Sequence, residues 1–305
     1  MAGVRTDLGA RRLRPWHVAF VVVAAVCGFA TRAPAYFEGA LLSSRTASLG
    51  GSFVALADDP SAVVDNPAGL SGIRPPSLLA TYQRPYGVDG LDESFVALSV
   101  RVPWVTAGVG WFHRGLSDAL SEDRVTLAIA RDLKRTSEDA SLSIGASVDW
   151  VGVSAYESID ANDTAVAFGA GVLLRPFAFI GLGYNIRNLN EPSLDLVPGG
   201  GDTPLLRSQT VGLSYYWQER LTVTVEWFEQ ASRWSTRGGA ELRLGPYIVL
   251  RGGLEAARAA AGVGLLWRSV GLDAGFLTHE ALGESYVVTF RYARKEAPQP
   301  YGPMP

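Results

Sequence analysis

Residues 141–150 read SLSIGASVDW, and their period decides the fold. Leu142, Ile144, Ala146, Val148 and Trp150 take every second place, with Ser141, Ser143, Gly145, Ser147 and Asp149 between them. Successive side chains point to opposite faces only in an extended chain, so the stretch is a strand with one apolar and one polar or small face. The same alternation returns in Leu221, Val223, Val225 and Trp227, and in Tyr286, Val288, Phe290 and Tyr292. Glycine recurs on the second face, at Gly108, Gly110, Gly262, Gly264, Gly271 and Gly275.

Working outward, the period-two pattern marks fourteen candidate strands: 77–83, 93–102, 104–113, 123–132, 140–152, 163–174, 177–186, 207–217, 219–229, 235–244, 246–254, 259–268, 269–279 and 284–292. Connections after even-numbered strands shrink to pieces such as Pro103, Arg175-Pro176, Gln218 or Gly245-Pro246, with 133–139 as the exception, and the others run longer. An even strand count with short turns at one end and longer loops at the other is the plan of an outer-membrane barrel. A soluble β-sandwich also reads as alternating strands. Against it stand strand lengths that suit a tilted bilayer crossing and aromatic residues gathered at strand ends, among them Trp104, Trp111, Trp217, Trp227, Tyr247 and Trp267. The expectation is all-β: a closed antiparallel transmembrane β-barrel of about 14 strands over residues 77–292. If its apolar faces meet lipid, then Arg101, Asp149, Glu226, Glu241, Arg243, Arg251, Asp273, His279 and Arg291 face the lumen. Their mixed signs point to a paired network that braces the wall or holds an inserted segment, because charge facing lipid is costly.

The start of the chain has the layout of a secretory signal peptide. Arg5, Arg11, Arg12 and Arg14 precede the apolar run Val18 to Phe29, and Ala33-Pro34-Ala35 offers a cleavage site after Ala35. The run is too short for a membrane-spanning helix, and Val26 before Cys27 argues against lipidation. Cleavage would remove the single cysteine together with five basic residues and one acid, moving the formal charge from −3 to −7. Without a basic stripe, nucleic acid is a poor partner. The tail 293–305, with Pro298, Pro300, Pro303 and Pro305, cannot extend a strand and reads as an extended periplasmic segment.

Between leader and barrel lies LGGSFVALADDPSAVVDNPAGL, Leu49 to Leu70. Gly50 and Gly51 open it; Asp58, Asp59 and Pro60, then Asn66 and Pro67, place a capping oxygen before proline, a good helix opening. Ala68, Gly69 and Leu70 follow, and Gly69 and Gly72 predict a stop within about a turn. Such a knot satisfies its own backbone, inside a wall of strands or as a surface loop. This stretch is similar to the amino-terminal signature of the FadL superfamily of outer-membrane barrels, whose PorV/PorQ-like branch carries closely related segments. The resemblance implies fourteen strands around an amino-terminal plug, residues 36–76 here, with Asn66, Pro67 and Ala68 inside it. Asp65 departs from the aromatic residue that often precedes that asparagine.

By the same resemblance, the short loops and chain length favour the PorV/PorQ-like branch, implying an accessory of type IX-like protein export or surface attachment with secretion proteins or cargo as partners. The alternative is a FadL-type passive transporter of hydrophobic molecules such as long-chain fatty acids. Only 187–206 is long enough to fold over an opening. An enzyme is not expected: no nucleophile elbow, phosphate loop or metal-ligand spacing is present. His279 with Ser285 would make at best a scattered hydrolase site, and Gly199-Gly200-Gly201 with Asp202 reads as a flexible turn rather than a calcium loop. No cofactor or metal is therefore expected, and the surrounding partner is outer-membrane lipid.

Overall fold

The computed structural model describes residues 41–117, 119–135, 140–156, 161–194, 203–218, 220–230, 233–256, 258–279 and 282–293. The expected leader with its Ala35 cleavage site, the glycine run 199–201 and the tail beyond Ala293 lie outside these residues.

Fourteen strands close into an antiparallel barrel. In chain order these are β1 (Ser77–Arg84), β2 (Leu91–Val102), β3 (Val105–Leu116), β4 (Leu120–Arg135), β5 (Ser141–Ala155), β6 (Ala161–Phe177) and β7 (Ile180–Arg187). A two-stranded hairpin, β8 (Ser193–Leu194) with β9 (Thr203–Pro204), stands in the long connection that follows. The wall resumes with β10 (Ser208–Trp217), β11 (Leu221–Gln230), β12 (Arg233–Leu244), β13 (Ile248–Glu255), β14 (Arg258–Trp267), β15 (Val270–Leu277) and β16 (Ser285–Ala293). Each wall strand pairs with its chain neighbours, and β1 pairs with β16, from Ser77 opposite Ala293 to Arg84 opposite Tyr286. Closure leaves no unpaired edge, which a wall in lipid requires.

The register puts the two faces of residues 141–150 where alternation needs them. Ser143 and Asp149 are buried toward the inside, and Ile144, Val148 and Trp150 are exposed on the outside. The outer belt continues around the wall through Leu98, Val109, Leu127, Ile129, Val172, Leu213, Leu250, Leu265, Leu272 and Val288, all exposed. In water so continuous an apolar surface would drive association; in a bilayer it is the lipid-facing band. Trp104, Tyr247 and Trp267 mark one rim, the latter two stacked with ring centroids 5.5 Å apart. Trp111, Trp150 and Tyr286 mark the other.

Several elements differ from the expected boundaries. β4, β5 and β6 run to 16, 15 and 17 residues. Their pairing continues past the apolar belt, where outward positions turn polar at Asp123, Gly152 and Thr164. Backbone groups beyond the lipid still gain by pairing, so hairpins lengthen at the expense of loops. Only two or three residues separate β3 from β4, β11 from β12 and β13 from β14 in consequence, and the short and long connections alternate less than the sequence suggests. Arg175-Pro176, expected as a turn, belongs to β6; proline offers no N–H, and the register shifts between Leu174 and Phe177.

Candidate functional site

Residues 41–76 thread the inside of the barrel. Two short helices, α1 (Ser44–Ser48) and α2 (Ala62–Asp65), precede a 3-10 turn over Pro67–Gly72. Ser43 caps α1 by accepting from the Thr46 N–H at 3.1 Å. Asp59 accepts from the Ser61 N–H and hydroxyl at 2.9 and 2.8 Å, so Ser61 rather than Asp59 occupies the cap position of α2. Asn66 caps the 3-10 turn by accepting from Ala68 N. Gly69 does not end that turn: it lies within it, pressed on the Ala57 carbonyl so closely that a Cβ would overlap it. Such a turn tightens the chain without the free carbonyls a longer helix end would bury.

The segment fills the lumen with apolar side chains. Leu49, Phe53, Leu56, Val63 and Leu70 are fully buried against Leu79, Phe95, Ala97, Phe112 and Ala128 of the wall, each contributing roughly 2 kcal/mol of burial. The inward glycines have their reason here. A Cβ on Gly145 would strike the backbone of Pro67 and Ala68, one on Gly183 the Val54 carbonyl, and one on Gly253 the backbone of Leu49 and Gly50. Glycine is the residue that admits so close a backbone approach. Gly50 and Gly51 also hold positive φ of 65° and 85°.

Charge fixes the segment at two places. Arg45 donates from Nη1 to Asp58 Oδ1 at 2.5 Å and from Nε to Glu241 Oε2 at 2.9 Å, and lies 3.7 Å from Asp59 Oδ2. Glu241 Oε2 also accepts from Arg251 Nε at 2.7 Å; Arg251 Nη1 reaches Asp273 Oδ1 at 2.6 Å, and Asp273 Oδ2 meets Arg291 Nε at 3.0 Å. This chain of alternating charges crosses from the segment through β12, β13, β15 and β16. At the second place Glu226, fully buried, accepts from the backbone N–H groups of Phe53 and Val54 and from Arg237 Nε at 2.8 Å. Burial opposes the Arg45 charge, but Asp58, Glu241 and Asp59 outweigh it and hold its pKa well above the ordinary value. Burial pushes the Asp59 carboxyl up, against the pull of Arg45. Asp65 is pushed up to about 7, by burial first and then by Asp59, and its Oδ2 has no hydrogen-bond partner.

The remaining sequence candidates separate by depth. Asp149 is buried on the inner wall and accepts from the Thr126 hydroxyl. Arg101 and Arg243 stand near the last rung of β2 and β12, exposed and half-buried, apart from the network. His279 lies past the end of β15, where it meets Arg258 Nη2 at 3.1 Å and the Tyr86 ring at 5.1 Å. Arg45, the hub of the network, was missed by the sequence reading; the signal was a lone cation in a run of small and apolar residues. So was Arg114, which joins Glu93 and Glu122 at 2.6 and 3.1 Å on the neighbouring inner wall.

Above the segment, at the long-loop end, a cavity of about 250 Å³ opens between Leu41, Tyr86, Leu91, Arg114, Leu277 and His279. On the opposite side of the mouth Leu194 and Leu205 are buried in the same apolar cluster as Val151 and Val153. The described ends of the long connection thus pack on the side of the mouth across from the cavity.

No protein-family model matches the chain, and no curated protein does. Among solved structures it is similar to the toluene transporter TbuX of Ralstonia pickettii, at 12% identity over 83% of this chain and 98% of that one, TM-score 0.57. The toluene transporter TodX of Pseudomonas putida matches at 12% identity over 84% and 99%, TM-score 0.59. A TodX monoaromatic hydrocarbon channel lacking S2 and S3 matches at 11% over 83% and 99%, TM-score 0.61. What the chain shares with them at that identity is the fold, a closed fourteen-stranded β-barrel.

Proposed function

We propose that this is an outer-membrane passage protein of FadL type, which lets small hydrophobic molecules cross passively, with residues 36–76 as its plug. The observation that carries the reading is the likeness of the barrel, over more than four fifths of the chain, to the toluene transporters TbuX and TodX. The cavity at the long-loop mouth sets the apolar Leu41, Leu91 and Leu277 and the Tyr86 ring beside the charged Glu93, Arg114, Glu255 and Arg258, so it serves this reading as an entrance of mixed character rather than as an apolar binding pocket. Residues 1–35 act as the signal that delivers the chain. The test is uptake of radiolabelled toluene and of a long-chain fatty acid by a deletion strain and its complemented parent. Loss of uptake in the deletion, restored by the gene, supports passage.

A second reading, the PorV/PorQ-like accessory of protein export, is favoured by the short separations between β3 and β4, β11 and β12, and β13 and β14, which leave little loop to gather substrate. Unchanged uptake together with altered surface proteins in the deletion strain overturns passage in favour of that role.

A further inference from the structure

The short-turn end of the barrel carries an arginine at every corner. Arg101 precedes the β2–β3 turn, Arg131 lies near the end of β4, Arg175 near the end of β6, and Arg220 directly before β11. Arg243 precedes the β12–β13 turn, Arg268 lies between β14 and β15, and Arg291 near the end of β16, with Arg74 just ahead of β1. Arg175 donates to the Leu56 carbonyl at 3.1 Å, and Arg291 joins Asp273. Among the described residues, the guanidinium groups of Arg74, Arg101, Arg131, Arg220, Arg243 and Arg268 make no hydrogen bond or ion pair, and all six residues are exposed or half-exposed.

Among the described residues, Asp132 bonds the Ser143 hydroxyl at 2.6 Å at this rim, and Glu241 and Asp273 just inside it are already paired with arginines. By sequence alone, Lys134, Arg135, Arg294 and Lys295 equal Glu138, Asp139, Glu219 and Glu296 in number, so these stretches of the corners and tail add no net charge. The chain's own tail therefore cannot neutralise the ring. At the long-loop end, by contrast, cations stand beside acids: Arg84 with Asp92, Arg114 with Glu93, Arg258 with Glu255. A one-signed rim repels itself and attracts an anion. In a barrel of this kind the short-turn end faces the periplasm.

We propose that this ring is a docking surface for an acidic periplasmic protein, which seats end-on over the short-turn mouth. Position favours a protein over lipid. Arg101 shares its strand face with the buried Ala97 and Ser99, Arg243 with Glu241, and Arg74 follows the inner segment directly, so all three border the mouth. Lipid headgroups surround the outer wall and meet the outward Arg131 and the turn residue Arg268 instead. Arginine is the residue suited to bidentate capture of carboxylates.

The test uses the full barrel in nanodiscs of neutral phosphatidylcholine, with a fluorescein-labelled sixteen-residue polyglutamate as probe. Fluorescence anisotropy should show binding that weakens with salt. The triple variant R74Q/R101Q/R243Q should bind about ten-fold more weakly or worse, and R84Q/R258Q at the other end should bind as the parent does. Retained heat-dependent gel mobility verifies that each variant is folded. Equal affinity of the triple variant and the parent, or no binding by the parent, overturns the proposal. So does the lipid outcome: no polyglutamate binding, but co-purified phosphatidylglycerol lost on R131Q/R268Q.

Discussion

Asn66 shows how much one side chain carries when it has no water to fall back on. Its Nδ2 donates to the Val54 carbonyl at 2.8 Å and to the Val172 carbonyl of β6 at 3.2 Å, while its Oδ1 takes the Ala68 N–H. Asn66→Ala strands all three groups, and each buried polar group left unpaired costs on the order of 1–3 kcal/mol. Single-channel recordings should then show frequent openings that the parent lacks; a closed N66A barrel would mean the segment is held elsewhere. Its neighbour Asp65 gives a pH dependence of definite sign. Burial first, and Asp59 and Glu226 after it, raise its pKa to about 7 against the pull of Arg237. The docked segment therefore holds a proton that the undocked one gives up. This contribution is full below the ordinary carboxylate range and is lost as pH rises through about 7. Openings should be rarer at pH 5 than at pH 8, and Asp65→Asn should remove most of the difference, the raised Asp59 carboxyl accounting for the remainder.

At the scale of elements, the segment and the wall are cut to each other. Gly183 on β7 faces the Val54 carbonyl, and Gly212 on β10 faces the Val54 side chain. A valine at Gly212 has no room unless Val54 and Ala55 move off the wall, so G212V should open the channel in the manner of deleting residues 41–76, at smaller amplitude. Conductance of G212V equal to that of the parent would mean that the segment yields locally without leaving. The same fit explains what was legible beforehand. The alternation at 141–150 gave the strands and their faces, because period two depends on nothing beyond the strand itself. The repeated inward glycines were visible too, but their meaning was not, since it lies in a segment roughly forty to more than two hundred residues away in the chain. Strand ends were misplaced at β4 to β6 because pairing, not hydrophobicity, decides where a hairpin stops outside the lipid. Of the lumen network, the alternation pointed to Glu226, Glu241, Arg251 and Asp273, residues that the structure joins into chains of ion pairs. It could not point to Arg45, which has no period to betray its face.

Across the whole molecule, the segment also bears on how the wall stays closed. The closing seam is β1 against β16, and there the segment reaches both strands. Ser44 N donates to Thr289 Oγ1 at 2.7 Å and its hydroxyl to the Val287 carbonyl at 2.9 Å, both on β16, while Thr81 of β1 donates to the Leu42 carbonyl at 2.9 Å. Thr81 and Thr289 also meet directly, their hydroxyl oxygens 2.9 Å apart. The ion chain from Arg45 through Glu241, Arg251 and Asp273 to Arg291 ends on β16 as well. A barrel without residues 41–76 keeps its backbone ladder, since every strand still pairs on both sides, but loses these ties and exposes Leu79, Phe95 and Phe112 to the water that replaces the segment. It should therefore insert and run as a compact band in unheated gels, yet convert to the slower unfolded band at a clearly lower temperature than the parent. The parent's conversion temperature should fall part of the way on Arg45→Ala, because that change removes the ion chain's hold on the segment and leaves the Ser44 contacts in place. Conversion of the deleted barrel at the parent's temperature would show that the wall is self-sufficient, and that the segment rests inside it without bracing it.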